Sequence, residues 1–308
     1  MNHLVDIVKS GTVTPLANAK PARPVAVSVI MVVYQTGPAL KQSLPLVLAD
    51  PMVDEFVVVD NGSPPEDETY LRELALSQPR FRLLQGHGNV GFSRGANLGA
   101  EAARGQVLVF LNPDAYLQPG CISSLIEARE GQASPCIIGA RVLNSDGSEQ
   151  RGSRRGEVTP VSTVLSLSHL ASRLKGLSKF EIHRESEPLP QSPIKVPTIS
   201  GACFAVSRFD FQMLGGFDEA YFLHVEDIDL CWRARQQGGT VMFQPLAQVV
   251  HLGSTSKTNP VMVELWKGQG LARYFRKRAN SGWQWLLAVL MTPAIIGVAV
   301  LRPAFRRR

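Results

Sequence analysis

Polar residues that could bind a nucleotide or a metal ion follow two apolar runs of the sequence. Asp60 and Asn61 come directly after the run EFVVV, and Asn112 and Asp114 come directly after VLVFL. A carboxylate such as Asp60 can accept hydrogen bonds from a ribose hydroxyl or a base N–H. Asn112-x-Asp114 offers oxygen ligands of the kind that Mg²⁺ or Mn²⁺ prefers. The competing interpretation is that both motifs are ordinary turns, where Asp and Asn are common.

Two acidic residues and a histidine in the second half of the chain could act on a hydroxyl group or a metal. Glu226 and Asp227 precede a predicted helix, and a carboxylate at such a junction can remove a proton from a hydroxyl. His251 could complete a metal site through its neutral imidazole. Acidic residues also complement a helix dipole, and a lone histidine is often a core or loop residue. Arg233 lies four residues after Asp229, a spacing that favours a structural ion pair.

The segment 89–99, NVGFSRGANLG, combines glycines with a cation and two asparagines, Asn89 and Asn97. Glycines permit close approach of the backbone to an anion, and Arg94 near a helix start would attract phosphate. The segment lacks the G-x-G-x-x-G dinucleotide pattern. Glycines that serve helix packing explain it equally well.

Strands that alternate with helices position these residues. The predicted strands are continuous apolar, β-branched runs, as in strands buried on both faces. They cover 25–34, Glu55–Asp60, Phe81–Leu84 and 106–112, and the predicted helices cover Pro38–Ala49, 66–76, 92–103 and 225–237. This alternation predicts an α/β fold with a mostly parallel, doubly wound sheet and flanking helices. Ligands of such sheets bind at the carboxyl ends of the strands.

The middle of the chain, about 151–197, has weak periodicity and many serine, proline and basic residues. It predicts variable loops with one helix at 160–174. Four cysteines (Cys121, Cys136, Cys203 and Cys231) show no C-x-x-C spacing, so we expect buried, reduced thiols and a reducing compartment.

An apolar segment near the C-terminus, 283–301, carries no formal charge and has basic residues on both sides. Its length is borderline for a membrane span. Trp283 and Trp285 are typical of a membrane interface, and Pro293 is expected to interrupt a helix. These features favour a monotopic or re-entrant anchor on an anionic leaflet. The alternative is an apolar helix packed on the domain.

Composition limits the function further. The 308 residues are 44% hydrophobic, enough for a full core, and the net charge of +6 is concentrated at 151–155 and in the C-terminal tail. Basic clusters suit anionic lipids, nucleic acids or phosphorylated substrates. We expect a membrane surface and no nucleic acid, because no nucleic-acid-reading module is evident. Residues 1–24 lack a long apolar run and predict a flexible leader, not a secretory signal, which places the protein in the cytoplasm.

Taken together, the motifs resemble family 2 glycosyltransferases. In chain order they read VSVIMVVY, VVVDNGS, NVGFSRGAN, FLNPD, GGFDEAYF, EDIDLCWR and HLGSTS, and they span 25–256. The resemblance is greatest to bacterial rhamnosyltransferase-like members that assemble polysaccharides. It implies a GT-A fold and an inverting transfer from a nucleoside diphosphate sugar, with dTDP-rhamnose as the favoured donor. The implied acceptor is a glycan or a polyprenyl-diphosphate-linked sugar at the inner face of the plasma membrane.

The resemblance also implies a role for each motif residue. Asp227 would be the general base, supported by Glu226, and Asp114 and His251 would bind Mg²⁺ or Mn²⁺. Asn112 stands where the family has the first Asp of its D-x-D motif, a departure that many rhamnosyltransferase-like members share. The expected donor-binding residues are Asp60, Asn61, Asn89, Arg94, Asn97, Asn112, Asp114 and Arg233.

The implied organisation is a leader at 1–24, a glycosyltransferase domain at 25–258 and a basic, apolar helical segment at 259–308. Within the domain, 25–145 would bind the donor and 146–258 the acceptor. Three alternatives stay open. The chain could use a UDP- or GDP-sugar, or it could be a non-catalytic scaffold that binds nucleotide sugars. A nucleotide-sugar pyrophosphorylase is the least favoured, because the loop after the first strand, QTGPALK, lacks G-x-G-T-R.

Overall fold

A mixed β-sheet runs through the centre of the structure, a computed structural model that describes residues 25–167, 175–253 and 255–306. The strands are β1 (Val27–Val33), β2 (Glu55–Asp60), β3 (Phe81–Leu84), β4 (Val107–Leu111), β5 (Ala115–Leu117), β6 (Cys136–Leu143), β7 (Arg154–Arg155), β8 (Ile194–Lys195), β9 (Thr198–Ile199), β10 (Cys203–Ser207) and β11 (Thr240–His251). In the described part of the chain the sheet order is β3-β2-β1-β4-β10-β6-β11-β5, with β8 beside β11. β7 and β9 form a separate two-stranded ribbon.

Helices flank the sheet. They are α1 (Pro38–Ala49), α2 (Pro65–Ser77), α3 (Phe92–Ala102), α4 (Cys121–Glu127), α5 (Pro160–Leu167), α6 (Arg208–Met213), α7 (Glu226–Gln236), α8 (Pro260–Lys277) and α9 (Gly282–Arg306), with a 3₁₀ helix at Lys175–Phe180. The predicted α/β fold is confirmed, and the predicted strands and helices of the first half nearly coincide with the observed ones.

The first half of the sheet is parallel. β3, β2, β1 and β4 run in one direction. Every residue of β1 and β2 is buried, as their continuous apolar sequences require. The register pairs Val33 with Asp60, so β1 and β2 end at the same edge of the sheet. The turns that follow β2 and β4 therefore lie at the same edge of the sheet, on either side of the end of β1, as expected for parallel strands.

The second half of the sheet mixes directions. β10 runs antiparallel between β4 and β6, β11 is parallel to β6, and β5 and β8 are antiparallel to β11. The parallel arrangement predicted from the alternating elements thus holds for β3-β2-β1-β4 and for the pair β6–β11. β10 runs in the opposite direction because it starts at the edge of the sheet where β4 and β6 end, after the segment that contains α5.

The C-terminal helices α8 and α9 pack against each other. A Cβ at Gly268 would lie 2.9 Å from the Cβ of Ala299, so the helices approach closely there. The expectation that Pro293 interrupts the apolar helix is wrong, because α9 continues through it. Packing beside a neighbouring helix offsets the hydrogen bond that proline removes. Gly282–Leu301 is long and apolar enough to cross a membrane, and only 6% of its most apolar window is buried.

The predictions for the cysteines and for the middle of the chain agree with the structure where it is described. All four cysteines are buried and outside disulfides, as expected. α5 confirms the first part of the helix predicted at 160–174. The predicted leader 1–24, residues 168–174 and the side chains of the basic tail 302–308 lie outside the described residues.

Candidate functional site

Two adjoining cavities open near the carboxyl ends of β1, β2 and β4. The strand-end cavity has a volume of about 740 Å³, and its lining includes Asn61, Asn89, Asn112, Asp114 and His251. The helical cavity has a volume of about 630 Å³, and its lining includes Glu226, Asp227 and residues of α8 and α9. Both linings include Phe92, Asn112, Leu223, His224, His251 and Glu264, which we call the shared wall. The fold thus brings the strand-end polar residues and the acidic pair to opposite sides of one wall.

Asp60 shapes the turn after β2. Its Oδ1 accepts hydrogen bonds from the backbone N–H groups of Gly62 (3.0 Å) and Ser63 (2.8 Å). The neighbouring Asn61 faces the strand-end cavity, where its Nδ2 donates to the carbonyl oxygen of Gly91 at 2.9 Å. Asp60 itself is buried behind this turn. Asp60 therefore fixes the position of Asn61 at the cavity edge.

The glycine-rich segment packs closely at three points. Gly91 has a φ of 84°, and a Cβ there would lie 2.7 Å from the carbonyl oxygen of Phe222, so only glycine fits. Asn89 Oδ1 accepts from the Gly91 N–H at 3.1 Å. Gly95 and Gly99 pack α3 against the sheet: a Cβ at Gly99 would lie 2.6 Å from a side-chain carbon of β1. The helix-packing interpretation is confirmed for these two glycines.

A polar cluster lies at the boundary between the strand-end cavity and the shared wall. His251 Nε2 lies 3.1 Å from Asp114 Oδ1 and 3.3 Å from Asn112 Nδ2. Thr255 Oγ1 donates to Asp114 Oδ2 at 3.0 Å. Burial alone would raise the pKa of Asp114, but the hydrogen bonds from His251 and Thr255 outweigh it and hold the pKa below its usual range. Asp114 is therefore an ionised carboxylate held in a fixed orientation.

Gln150 orients the histidine of this cluster, and the sequence analysis missed it. Its Nε2 donates to the carbonyl oxygen of His251 at 3.0 Å, which leaves its Oε1 to accept from His251 Nδ1 at 2.8 Å. This assignment places His251 Nε2 towards the carboxylate of Asp114. An imidazole and a carboxylate oriented in this way fit a shared cation when Nε2 carries no proton.

The donor set fits a divalent metal that a substrate helps to bind. Imidazole nitrogen and carboxylate oxygen suit Mn²⁺ or Mg²⁺, and Asn112 adds an amide group beside them. Within the described residues no group of three or more His, Cys, Asp or Glu side chains could hold a metal. A cation bound by Asp114 and His251 would therefore need further ligands from a bound substrate.

Asp227 stands at the start of α7 and is held by three hydrogen bonds. Arg155 Nη2 donates to Asp227 Oδ2 at 2.6 Å, and the Gly201 N–H donates to the same oxygen at 3.0 Å. Oδ1 accepts from the Ile228 N–H at 2.8 Å. Burial would raise the pKa of Asp227, but the guanidinium of Arg155 outweighs it and holds the pKa below its usual range. Arg155 is the second site residue that the sequence analysis missed.

Glu226 has the opposite electrostatic environment. It is buried, and its Oε2 has no hydrogen-bond partner among the described residues. Burial and repulsion from Asp227 raise the pKa of Glu226 to about 8, so it is protonated at neutral pH. Adjacent carboxyl groups with pKa values pushed apart are typical of an acid–base site.

The backbone that enters α7 is strained. His224 and Val225 have φ values of 69° and 77°, a region that a β-branched residue such as Val rarely adopts. Gly270 of α8 packs against this turn, where a Cβ would lie 3.2 Å from the carbonyl oxygen of His224. Strain of this kind persists where the surroundings hold it and clusters at functional sites. Here it positions Glu226 and Asp227.

Four predicted donor-binding residues line neither cavity: Asp60, which is buried behind the turn after β2, and Arg94, Asn97 and Arg233. Arg94 is exposed and lies 3.9 Å from Glu219. Asn97 bonds both backbone groups of Phe217, at 2.9 Å each. Arg233 donates to Asp229 at 2.7 Å, confirming the predicted ion pair, and to backbone carbonyls of the loop that follows α6. The structure gives Asn97 and Arg233 structural contacts in place of a cavity position.

Comparison with known proteins agrees with these features. Residues 28–215 match the family described as Glycosyl transferase family 2. The chain is 27% identical over 268 residues to the N-acetylglucosaminyl-diphospho-decaprenol L-rhamnosyltransferase of Mycobacterium tuberculosis, an alignment that covers 83% of this chain and 85% of that protein.

Two solved structures share the fold. One is the mannosyltransferase PcManGT from Pyrobaculum calidifontis in complex with GDP-Man and Mn²⁺, with a TM-score of 0.57, 16% identity, and coverage of 93% of this chain and 76% of that one. The other is GalNAc-T7 with UDP, GalNAc and Mn²⁺, with a TM-score of 0.59, 17% identity, and coverage of 81% and 47%. At these identities the likeness establishes the fold alone.

Proposed function

Because the chain belongs to Glycosyl transferase family 2, we propose that it transfers a sugar from a nucleoside diphosphate donor to an acceptor hydroxyl with inversion at the anomeric carbon. The observation that carries the proposal is that the two cavities adjoin at the shared wall, with Asp114 lining one cavity, Asp227 lining the other and His251 lining both. A donor and an acceptor in these cavities would meet at the wall. Alignment of two reactants in this way lowers the barrier of a single displacement.

The donor occupies the strand-end cavity in this proposal. Asn61 and Asn89 line the part of the cavity beside the turn that Asp60 holds, where the nucleoside would bind. Asp114, His251 and Asn112 would hold Mg²⁺ or Mn²⁺, which would offset the charge of the departing diphosphate. The Mn²⁺ in both structural neighbours supports this assignment. We assign no donor contact to Arg94, Asn97 or Arg233.

The acceptor hydroxyl approaches Asp227 from the helical cavity. Asp227 is ionised at neutral pH because Arg155 lowers its pKa, so it can accept the hydroxyl proton as the oxygen attacks the anomeric carbon. Glu226, protonated beside it, adds no second negative charge to the site. The hydroxyl oxygen that forms the new glycosidic bond therefore attacks beside a single negatively charged carboxylate, that of Asp227.

The favoured donor sugar is rhamnose, from dTDP-rhamnose. Support comes from the motif resemblance and from the rhamnosyltransferase of M. tuberculosis, which is similar over most of both chains. UDP- and GDP-sugars are the alternatives, since the structural neighbours carry UDP or GDP-Man. The acceptor is a lipid-linked or polysaccharide glycan of the cell surface.

We place the enzyme at the inner face of the plasma membrane. α9 exposes a set of large apolar side chains, which includes Trp283, Trp285, Leu290, Val298 and Leu301. Exposed apolar surface of this extent marks an interaction site. Tryptophans at one end of the helix are typical of a membrane interface.

A donor panel tests the proposal. Purified full-length protein is incubated with dTDP-rhamnose, UDP-sugars and GDP-sugars, with and without Mn²⁺ or Mg²⁺, and with a lipid extract as acceptor. We expect metal-dependent transfer from one donor and a product with inverted anomeric configuration by NMR. Retained configuration would refute the inverting mechanism. If no donor binds or reacts, the proposed function is wrong.

A further inference from the structure

A short segment of the chain contacts key residues of both cavities. Gln150 bonds the ring and the backbone carbonyl of His251. Arg155, five positions later in the sequence, donates to Asp227. We call residues 149–155 the linking segment. The histidine of the polar cluster and the carboxylate of Asp227 are therefore held by one stretch of backbone.

The first part of the linking segment lies against β6. The N–H of Gln150 donates to the carbonyl oxygen of Val142 at 2.8 Å, and the Val142 N–H donates to Ser153 Oγ at 2.9 Å. β6 is paired in parallel with β11, the strand that ends at His251. Because the linking segment and His251 are both attached to β6 by hydrogen bonds, Gln150 is held beside the histidine.

The second part of the linking segment is β7, which forms a ribbon with β9. The N–H of Ser200, directly after β9, donates to the carbonyl oxygen of Ser153, directly before β7, at 3.1 Å. Gly201 comes next, and its N–H donates to the same Asp227 oxygen as Arg155 does. Both groups that bind this oxygen are therefore attached to the linking segment.

A buried ion pair joins the two ends of the linking segment, and we call it the buried pair. Arg154 Nε donates to Glu149 Oε1 at 2.9 Å, and the two side chains are only 2% and 6% exposed. The guanidinium also donates to the carbonyl oxygens of Glu187 at 2.7 Å and Pro188 at 3.3 Å. It lies over the ring of Phe243, 5.3 Å from the ring centroid. Directional contacts therefore fix this arginine on several sides.

The buried pair fits a positioning role better than a role in stability alone. Removing two charges from water costs free energy that their pairing only partly returns, so apolar residues could stabilise the core equally well. A guanidinium instead sets its partners at defined angles. Successive side chains of a strand point to opposite sides, so Arg154 in the core directs Arg155 towards Asp227. Gln150 likewise follows Glu149 directly.

We propose that Glu149 and Arg154 are positioning residues that orient His251 and Asp227 together, through the linking segment. Neither side chain of the buried pair lines either cavity. The inference rests on the proposed function, which gives His251 and Asp227 their roles in binding the metal and accepting the proton. It follows that a single change in the core should alter metal binding on one side of the shared wall and proton transfer on the other.

Arg154→Met removes the guanidinium and keeps an apolar side chain of similar length. The dissociation constant for Mn²⁺ in the presence of a nucleoside diphosphate should rise about tenfold, because Gln150 no longer holds His251 in place. The acidic limb of the pH profile of kcat/KM should move to higher pH by about half a unit or more, because Arg155 is no longer fixed beside Asp227. A change in neither value, or in only one of them, would overturn the proposal.

Two further variants separate positioning from stability. Arg82→Met removes an ion pair with Glu55, also 2.9 Å long, at the opposite edge of the sheet, and both values should stay within about twofold of the wild type. Arg154→Met combined with Glu149→Met leaves no unpaired buried carboxylate, so its midpoint of urea unfolding should return towards that of the wild type. Its Mn²⁺ affinity and acidic limb should stay altered. Recovery of both together with the midpoint would show that the buried pair acts through stability alone, which would refute the proposal.

Amide hydrogen exchange tests the linking segment without metal, donor or turnover. In the double variant the N–H groups of Gln150 and Gly201 should both exchange faster than in the wild type, by about tenfold or more, while those of β3 should not change. Unchanged exchange at Gln150 and Gly201 would refute the inference. Faster exchange in a protein whose wild type binds no Mn²⁺ and transfers no sugar would refute the proposed function, but would leave the shared positioning of Gln150 and Arg155 in place.

Discussion

The strand-end cavity and the helical cavity lie side by side but are built from different parts of the chain. The first combines the turns that follow the parallel strands β1, β2 and β4 with the segment after β11 and the first turns of α8. The second collects residues from β7, the segment around His183, the start of α7 and both C-terminal helices. Both cavities therefore depend on distant segments of the chain, but only the first contains the turns after β1 and β2.

The two cavities also hold their key carboxylates in different ways. Asp114 is paired with His251, whose ring is oriented by Gln150, and the two side chains can share a cation. Asp227 is paired with Arg155, which is always charged and cannot accept a metal. The first pairing fits a ligand group, and the second fits a base that must stay ionised until a hydroxyl arrives. The experiments below test this distinction.

The largest effect is expected from Asp227→Asn. The amide cannot accept the hydroxyl proton, so kcat for transfer should fall by about 10²–10⁴-fold. Asp50→Asn at the end of α1 makes the same change outside both cavities, and its kcat should stay within about twofold of the wild type. A comparable kcat in the two variants would remove Asp227 from catalysis.

The second experiment tests whether Gln150 orients His251 for metal binding. Gln150→Leu removes the acceptor of the His251 Nδ1–H, so the dissociation constant for Mn²⁺ in the presence of nucleoside diphosphate should rise by about 10–100-fold. Gln236→Leu, on the exposed end of α7, is the control. Electron paramagnetic resonance of free Mn²⁺ measures both constants. If they agree, Gln150 does not support a metal site.

A third experiment addresses the pairing of Asp227 with Arg155. Without the guanidinium, burial dominates and the pKa of Asp227 rises. Because the base acts in its ionised form, the acidic limb of the pH profile of kcat/KM should move to higher pH by about one unit or more in Arg155→Gln. Arg155→Lys keeps a cation and should restore part of the shift. An unmoved limb in Arg155→Gln would contradict the proposed role of Arg155.

The smallest effect concerns the stability of the acidic pair. The pKa of Glu226 is about 8 in the folded state and near 4.5 when unfolded, so folding is favoured at low pH and this contribution is lost as pH rises between the two values. Glu226→Gln cannot ionise. Its free energy of unfolding relative to wild type should therefore increase from pH 5 to pH 8, on the order of 1–3 kcal/mol, in urea titrations. A constant difference would show that Glu226 ionises normally.

The sequence predicted the first cavity better than the second for a physical reason. Asp60, Asn112 and Asp114 follow apolar strands directly, and parallel strands end at one edge, so their proximity follows from local patterns. Arg155 reaches Asp227 across 72 positions, and Gln150 reaches His251 across 101. Such contacts depend on the path of the whole chain, which no local pattern encodes. The basic run at 151–155 was a sequence signal for Arg155, but it did not indicate which acidic residue Arg155 contacts.

Two further differences have local causes. Pro293 does not interrupt α9, because close packing at Gly268 supports the helix beside it. Asn97 and Arg233 belong to motifs whose residue types suit anion binding, but nearby backbone groups take up their hydrogen bonds. The type of a residue and its spacing identify a motif, whereas burial and partners decide whether the side chain faces a ligand.

The central assignment is that the strand-end cavity binds the donor and that Asp227, at the helical cavity, acts as the base. It is tested most directly by calorimetric titration of Asp114→Asn and Asp227→Asn with dTDP, UDP and GDP in the presence of Mn²⁺. We predict that Asp227→Asn binds the preferred nucleotide with wild-type affinity, whereas Asp114→Asn loses the part of that affinity that depends on Mn²⁺. The opposite pattern, with binding lost in Asp227→Asn and kept in Asp114→Asn, would contradict the assignment of the donor to the strand-end cavity.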